Sequence, residues 1–259
     1  MRNEPALPAG TVLVTGGSRG IGAATALLCA RRGWAVAVNY ARDAAAAEAV
    51  VASIHDSGGT ALAVHADVAD DAAVVAMFER LDRELPPLAG LVNNAGVIDL
   101  PSRVEAMSPA RLQRMFSINV FGSFYCAREA IRRMSTTQGA GKGGRGGAIV
   151  NVSSAAAKLG AGGQYVDYAA SKGAIDSLTV GLAREVAQEG IRVNAVRPGV
   201  IYTEIHASGG EAGRVDRVKA AVPMRRGGEP EEVARAILWL LSDDASYSTG
   251  TFIDVSGGR

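Results

Sequence analysis

Short apolar runs rich in β-branched residues alternate along this chain with longer, alanine-rich stretches. The runs at 11–15, 35–39, 61–66, 148–152, 191–196 and 251–255, and one opening at 91–93, read as strands. Between them, helical patterns are expected at 21–32, ending at Gly33, at 44–57, and from a cap at Asp70 or Asp71 to Glu84. A long helix follows Ser108 and Pro109, which fit a cap and a first helical position. Further helices are expected at 168–188 and 231–241. Strands that are apolar throughout, separated by helices, imply a parallel sheet covered on both faces. The expected fold is therefore a single doubly wound α/β domain over 1–259, with a seven-stranded parallel sheet and helices on both faces. Ligands of such a fold bind beyond the carboxyl ends of the strands.

Two segments break this rhythm. Residues 139–147 hold six glycines with Lys142 and Arg145, and read as a flexible surface loop. No helix follows them directly, which weighs against a phosphate-binding role. Residues 201–222 are long, polar and punctuated by glycine, and follow a strand end on the ligand-binding side. They read as a lid.

Composition narrows the partners. The 259 residues are 48% hydrophobic and 20% charged, and 27 basic against 26 acidic residues leave a net charge of +1. No basic field exists to attract nucleic acid or an anionic membrane. No stretch approaches the roughly 18 apolar residues of a membrane span, and the N-terminal residues show no secretory signal. A cytoplasmic protein is expected. Cys29 and Cys126 fall in apolar helical patterns and read as buried, reduced thiols. His55, His65 and His206 are scattered without metal-ligand spacing, so no metal is expected.

Candidate chemistry enters at the first strand. Thr15, Gly16, Gly17, Ser18, Arg19, Gly20, Ile21 and Gly22 run from that strand into a helix. Glycines there allow a tight turn, let backbone N–H groups approach a pyrophosphate and permit close helix–strand packing. The helix N-terminus adds partial positive charge. After the second strand come Tyr40, Ala41, Arg42 and Asp43. An NAD site usually has an acid directly at that strand end, but Asp43 comes later and reads as a helix cap. Arg19 and Arg42 can flank a 2′-phosphate. NADP(H) is the expected cofactor, with NAD(H) as the alternative.

Tyr168 and Lys172 lie four residues apart, on one face of a helix. A nearby cation stabilises phenolate and draws the phenol toward working pH, which suits proton transfer to an alcohol oxygen. A serine hydroxyl in reach can hold that oxygen. Ser153 and Ser154 are adjacent on a strand end, where alternation points them to opposite sides. Tyr165 is a second phenol, but Ala169, not lysine, stands four residues on.

Together these residues resemble the short-chain dehydrogenase/reductase family over essentially the whole chain. The motifs are the glycine turn, Asp67-Val68, Asn93-Asn94-Ala95-Gly96, Asn119, Ser154, Tyr168 with Lys172, Arg197-Pro198-Gly199 and Gly257-Gly258. Residues 165–176 are similar to a bacterial subgroup labelled glucose 1-dehydrogenase-like or 3-oxoacyl-acyl-carrier-protein-reductase-like. The resemblance implies that Tyr168 is the general acid/base. Lys172 would lower its pKa and hydrogen-bond the nicotinamide ribose. Ser154, favoured over Ser153, would polarise a carbonyl, and Asn119 would hold a relay water. Asp67 and Val68 would meet the adenine, with Asn94, Ala95 and Gly96 beside its ribose. Pro198, Gly199, Ile201 and Thr203 would contact the nicotinamide half. It implies an oxidoreductase interconverting a ketone or sugar-like small molecule with its secondary alcohol. Acyl-carrier-protein thioesters are the alternative substrate, and a non-catalytic NADP(H) sensor the alternative of another class. A homotetramer is expected from the same resemblance. On the helix after Tyr168, a stripe of Ala170, Ala174, Leu178, Leu182 and Val186 and a small-residue stripe of Gly173, Ser177 and Gly181 are set for packing.

Overall fold

A computed structural model describes residues 10–137 and 144–259. Residues 1–9 and residues 139–143 of the glycine-rich segment lie outside the described residues. Seven parallel strands form one sheet in the order β3-β2-β1-β4-β5-β6-β7. They are β1 (Thr11–Val14), β2 (Ala35–Tyr40), β3 (Ala61–His65), β4 (Leu88–Asn93), β5 (Gly147–Val152), β6 (Ile191–Pro198) and β7 (Phe252–Val255). The strand order reverses between β1 and β4, and this opens a crevice at their carboxyl ends.

Alternation along the strands sorts the core into two layers. Val12, Val14, Val36, Val38 and Val150 pack under α1 (Gly20–Arg31), α2 (Ala44–Asp56) and α10 (Pro230–Leu241). Leu13, Leu91, Ile149 and Val193 pack on the other face against α3 (Asp71–Glu84), α5 (Gly122–Met134) and α7 (Val166–Val186). Local chemistry starts the helices where the sequence predicts. Asp43 accepts the Ala46 N–H, Asp70 those of Ala72 and Ala73, and Ser108 that of Arg111 at α4 (Pro109–Phe116).

The structure departs from the sequence reading in four places. The single long helix expected after Pro109 is α4 and α5 joined by a π-helical segment, Ser117–Phe121. The lid is not irregular. It contains α8 (Ile205–Ser208) and α9 (Arg214–Val218) and packs Val200, Val215 and Val222 into a small core of its own. A short α6 (Ala156–Leu159) follows β5. On α7 the buried face is Lys172, Ile175, Thr179, Leu182, Ala183 and Val186; of the expected apolar stripe Ala170 is exposed and Ala174 only partly buried, while Leu178 is partly buried against the core that holds Leu182 and Val186. Among the described residues no helix is long and apolar enough to cross a membrane, and no cluster of potential metal ligands occurs.

Candidate active site

The crevice is a cavity of about 1250 Å³ running across the carboxyl ends of the strands. One end is built by the turn after β1. Gly16 there has φ +59°, and the Thr15 hydroxyl meets the Asn94 and Ala95 N–H groups at 3.0 Å. Asn94 Nδ2 donates to Thr15 O at 2.8 Å and Gly16 O at 3.0 Å. Asn39 braces the same turn from β2, accepting the Gly16 N–H at 3.2 Å and donating to Ala66 O at 3.0 Å. A Cβ on Gly22 would lie 2.3 Å from Gly16 O, so only glycine lets the helix start this close to the turn. No side chain caps α1 and no acid lies in its first turn.

Most of the predicted residues meet in this cavity. Gly16, Ser18, Arg19, Gly20, Ile21, Tyr40, Ala41, Arg42, Asp67, Val68, Asn94, Ala95, Gly96, Pro198, Gly199, Ile201 and Thr203 line it together with Ser154, Tyr168 and Lys172. Two predicted residues lie behind the wall. Gly22 is a packing residue beneath the turn. Asn119, 1% exposed, sits in the π-helical segment, where its Oδ1 accepts the Val97 N–H at 2.8 Å and its Nδ2 donates to Val97 O and Ser171 Oγ. Gly96 separates it from the site. A Cβ there would be 3.4 Å from Asn119 Oδ1 and 3.6 Å from Lys172 Nζ, so the missing side chain leaves a gap between the two polar groups.

Tyr168 and Lys172 stand on one face of α7, with Nζ 5.7 Å from the phenol ring centre. Lys172 Nζ donates to Val152 O at 2.7 Å. Burial lowers the Lys172 pKa to about 8, against which the Asp176 carboxylate pushes it up. Burial raises the Tyr168 phenol above its ordinary value, and a hydrogen bond with Ser154 works in the opposite direction. The expectation that Lys172 draws the phenol down is therefore not met in this structure. The ammonium is held by the Val152 carbonyl, and burial is the largest influence on the phenol. The two serines divide as the strand alternation requires. Ser153 turns its hydroxyl to Asp176 Oδ1 at 2.6 Å, leaving Ser154 for Tyr168.

The cavity is also lined by residues outside the predicted set of catalytic and cofactor-binding positions. Ile98, Arg114, Leu159, Gln164 and Arg214 line the cavity with Tyr165. Tyr165, 3% exposed, bonds Glu211 and Arg214 of the lid, and the Arg214 guanidinium lies 4.7 Å over its ring. Arg214 also reaches Glu211 at 2.8 Å and Gln164 at 3.1 Å. Tyr165 is thus both pocket wall and anchor for the lid, and its hydroxyl, raised to about 12 by burial and by Glu211, is not a proton donor for the site.

A family model described as enoyl-(acyl carrier protein) reductase matches residues 16–259. The chain is 60% identical over 247 residues to an uncharacterized oxidoreductase, YgfF, of Escherichia coli (strain K12), covering 95% of this chain and 98% of that protein. It is 38% identical over 254 residues to a 3-oxoacyl-[acyl-carrier-protein] reductase of Synechocystis sp., covering 98% of each. A crystal structure of a short chain dehydrogenase from Burkholderia cenocepacia J2315 in complex with NADP superposes with a TM-score of 0.86 at 31% identity, covering 95% of this chain and 96% of that one.

Proposed function

The chain belongs to the short-chain dehydrogenase/reductase family, whose members are oxidoreductases that bind nicotinamide cofactors, and from that premise we propose that it uses NADP(H) to interconvert a small ketone or sugar-like carbonyl and its secondary alcohol. The observation that carries the reading is the meeting of Ser154, Tyr168 and Lys172 in one cavity with the glycine turn. That turn fits a dinucleotide: Gly16 takes the positive φ of the tight turn, and Gly22, packed beneath it, lets the uncapped start of α1 come close to the cavity.

Ser154 and Tyr168 hold the substrate oxygen between their hydroxyls. Tyr168 gives its proton to that oxygen in reduction and takes it back in oxidation. Lys172 supplies positive charge beside the phenol and, through the gap at Gly96, faces Asn119 across a space fit for a relay water. A nicotinamide bound beside these groups would supply hydride to the carbonyl carbon in reduction and accept it from the alcohol carbon in oxidation. Arg19 and Arg42, at the rim by Tyr40 and Ala41, favour a 2′-phosphate, while Asp43 is engaged in capping α2.

The acyl-carrier-protein alternative needs free cations at the rim. Among Arg214, Arg217, Lys219, Arg225 and Arg226, in or just after the lid, Arg214 and Arg217 pair with Glu211, Lys219 with Asp216 and Arg226 with Glu232, so all but Arg225 are ion-paired, which favours the small-molecule reading. A non-catalytic sensor would not need all of Asn119, Ser154, Tyr168 and Lys172. The reading extends to a homotetramer, supported by Phe121 and Phe124, both about half exposed, and by the open positions at Gly173 and Gly181. The test is a panel of sugars, ketones, diketones, quinones and acyl thioesters followed at the NADPH absorbance. Turnover of ketones, diketones or sugars is expected; turnover of acyl thioesters alone would move the assignment to the alternative.

A further inference from the structure

One carboxylate behind the cavity joins three of the segments that form it. Asp176 lies one helical turn beyond Lys172 on α7, with its side chain 17% exposed. Its Oδ1 accepts the Ser153 hydroxyl at 2.6 Å, and Ser153 Oγ also lies 3.3 Å from the Lys172 carbonyl oxygen. Ser153 directly precedes Ser154 at the end of β5. The other oxygen, Oδ2, accepts Arg197 Nε at 3.0 Å and Nη2 at 2.8 Å. Arg197 directly precedes Pro198 and Gly199, which line the cavity, and its guanidinium rests 3.7 Å over the Phe252 ring of β7.

We propose, resting on the roles given above to Ser154, Tyr168 and Lys172, that Asp176 is a positioning residue of the site: its carboxylate ties the β5 end, the Lys172 turn and the β6 end into one unit and presents to Lys172 the negative charge that Arg197 partly offsets. Single-residue steps connect each of its partners to the working groups, so a shift of this carboxylate moves Ser154, Lys172 and the Pro198 wall together. The charges around it are few. Lys172 faces the Val152 carbonyl from β5, Tyr168 on its own helix and Asn119 across Gly96. Asp176 faces Arg197 from β6; beyond it lie Asp254 of β7, 3.7 Å from Arg197, and Lys158 of α6, bonded to Asp254. Burial pushes Lys172 down and Asp176 pushes it up. A merely structural brace would act differently: its loss would admit water and return Lys172 upward toward its ordinary value.

The sign of that change is measurable without turnover. The chain has four lysines, Lys142, Lys158, Lys172 and Lys219, so 13C-lysine NMR of the full-length protein resolves Lys172 by its loss in Lys172→Met. Asp176→Asn is expected to lower the Lys172 titration midpoint by roughly half a unit or more, and Arg197→Met to raise it. The double variant should titrate below Arg197→Met alone, and that pair decides the matter if Asp176→Asn strands Arg197 and fails to fold. An unchanged or raised midpoint in Asp176→Asn, or a double variant equal to Arg197→Met, overturns the proposal. The catalytic reading fails separately, by turnover in Tyr168→Phe, which leaves these titrations untouched.

Discussion

At the scale of single residues, Lys172 sets a testable pH signature. Its folded pKa, about 8, lies below its ordinary 10.5. Between those values the unfolded chain binds the extra proton, so this group's contribution to stability rises with pH through that window. The slope is at most about 1.4 kcal/mol per pH unit. Tyr168, raised by burial, acts the other way only above the ordinary phenol range. Denaturant unfolding of wild type minus Lys172→Met, measured from pH 7 to pH 10, is expected to show the rise; a flat difference would contradict the burial of the ammonium. Gly22→Ala places a methyl 2.3 Å from Gly16 O. Overpacking of this kind costs about 1–3 kcal/mol, so a lowered denaturation midpoint with weakened NADPH binding is expected. Arg42→Asp is expected to shift preference from NADPH toward NADH, read as the ratio of kcat/KM values. A wild type that already prefers NADH would remove the case for a 2′-phosphate site.

At the scale of elements, the lid is held to the body by side chains at its own α9. Arg214 bridges Glu211, Tyr165 and Gln164, and Ser102 N–H bonds Gln164 O at 2.8 Å, so one contact set joins the lid, the loop after β4 and the start of α7. Hydrogen bonds to charged groups contribute about 1.5–3 kcal/mol. Arg214→Ala is expected to raise KM several-fold and to speed proteolytic cutting within 201–222; unchanged cutting would show that the lid is held by its apolar core alone. The elements also mark what the sequence could and could not reveal. Most strands were legible because apolar residues, many of them Val, Ile, Leu or Ala, cluster where both faces are buried, and the caps at Asp43, Asp70 and Ser108 because their chemistry is local. The π-helical segment was not, since one extra residue per turn leaves the apolar pattern of α4 and α5 nearly intact. The helices α8 and α9 were missed because four or five residues cannot display a period.

At the scale of the whole molecule, the sheet order places the glycine turn, Ser154 and Tyr168 at one end, which no local pattern states. The cavity residues named in advance came from motifs whose spacing reflects that topology. Asn39 and Asp176, which brace the cavity, were not among them, since their partners lie 23 and 21 residues away and long-range pairing leaves no trace in local pattern. The homotetramer proposed from the family resemblance gives an expected mass of four chains by light scattering, reduced by Phe121→Asp with Phe124→Asp at the exposed pair. A monomeric wild type would refute the tetramer without touching the chemistry. That chemistry rests on Tyr168 as the acid/base, and the most direct test is NADPH oxidation by Tyr168→Phe with a carbonyl that the wild type reduces. The account predicts a loss of at least about 10²-fold in turnover with NADPH binding within a few-fold of wild type. Turnover in Tyr168→Phe close to that of the wild type would contradict it.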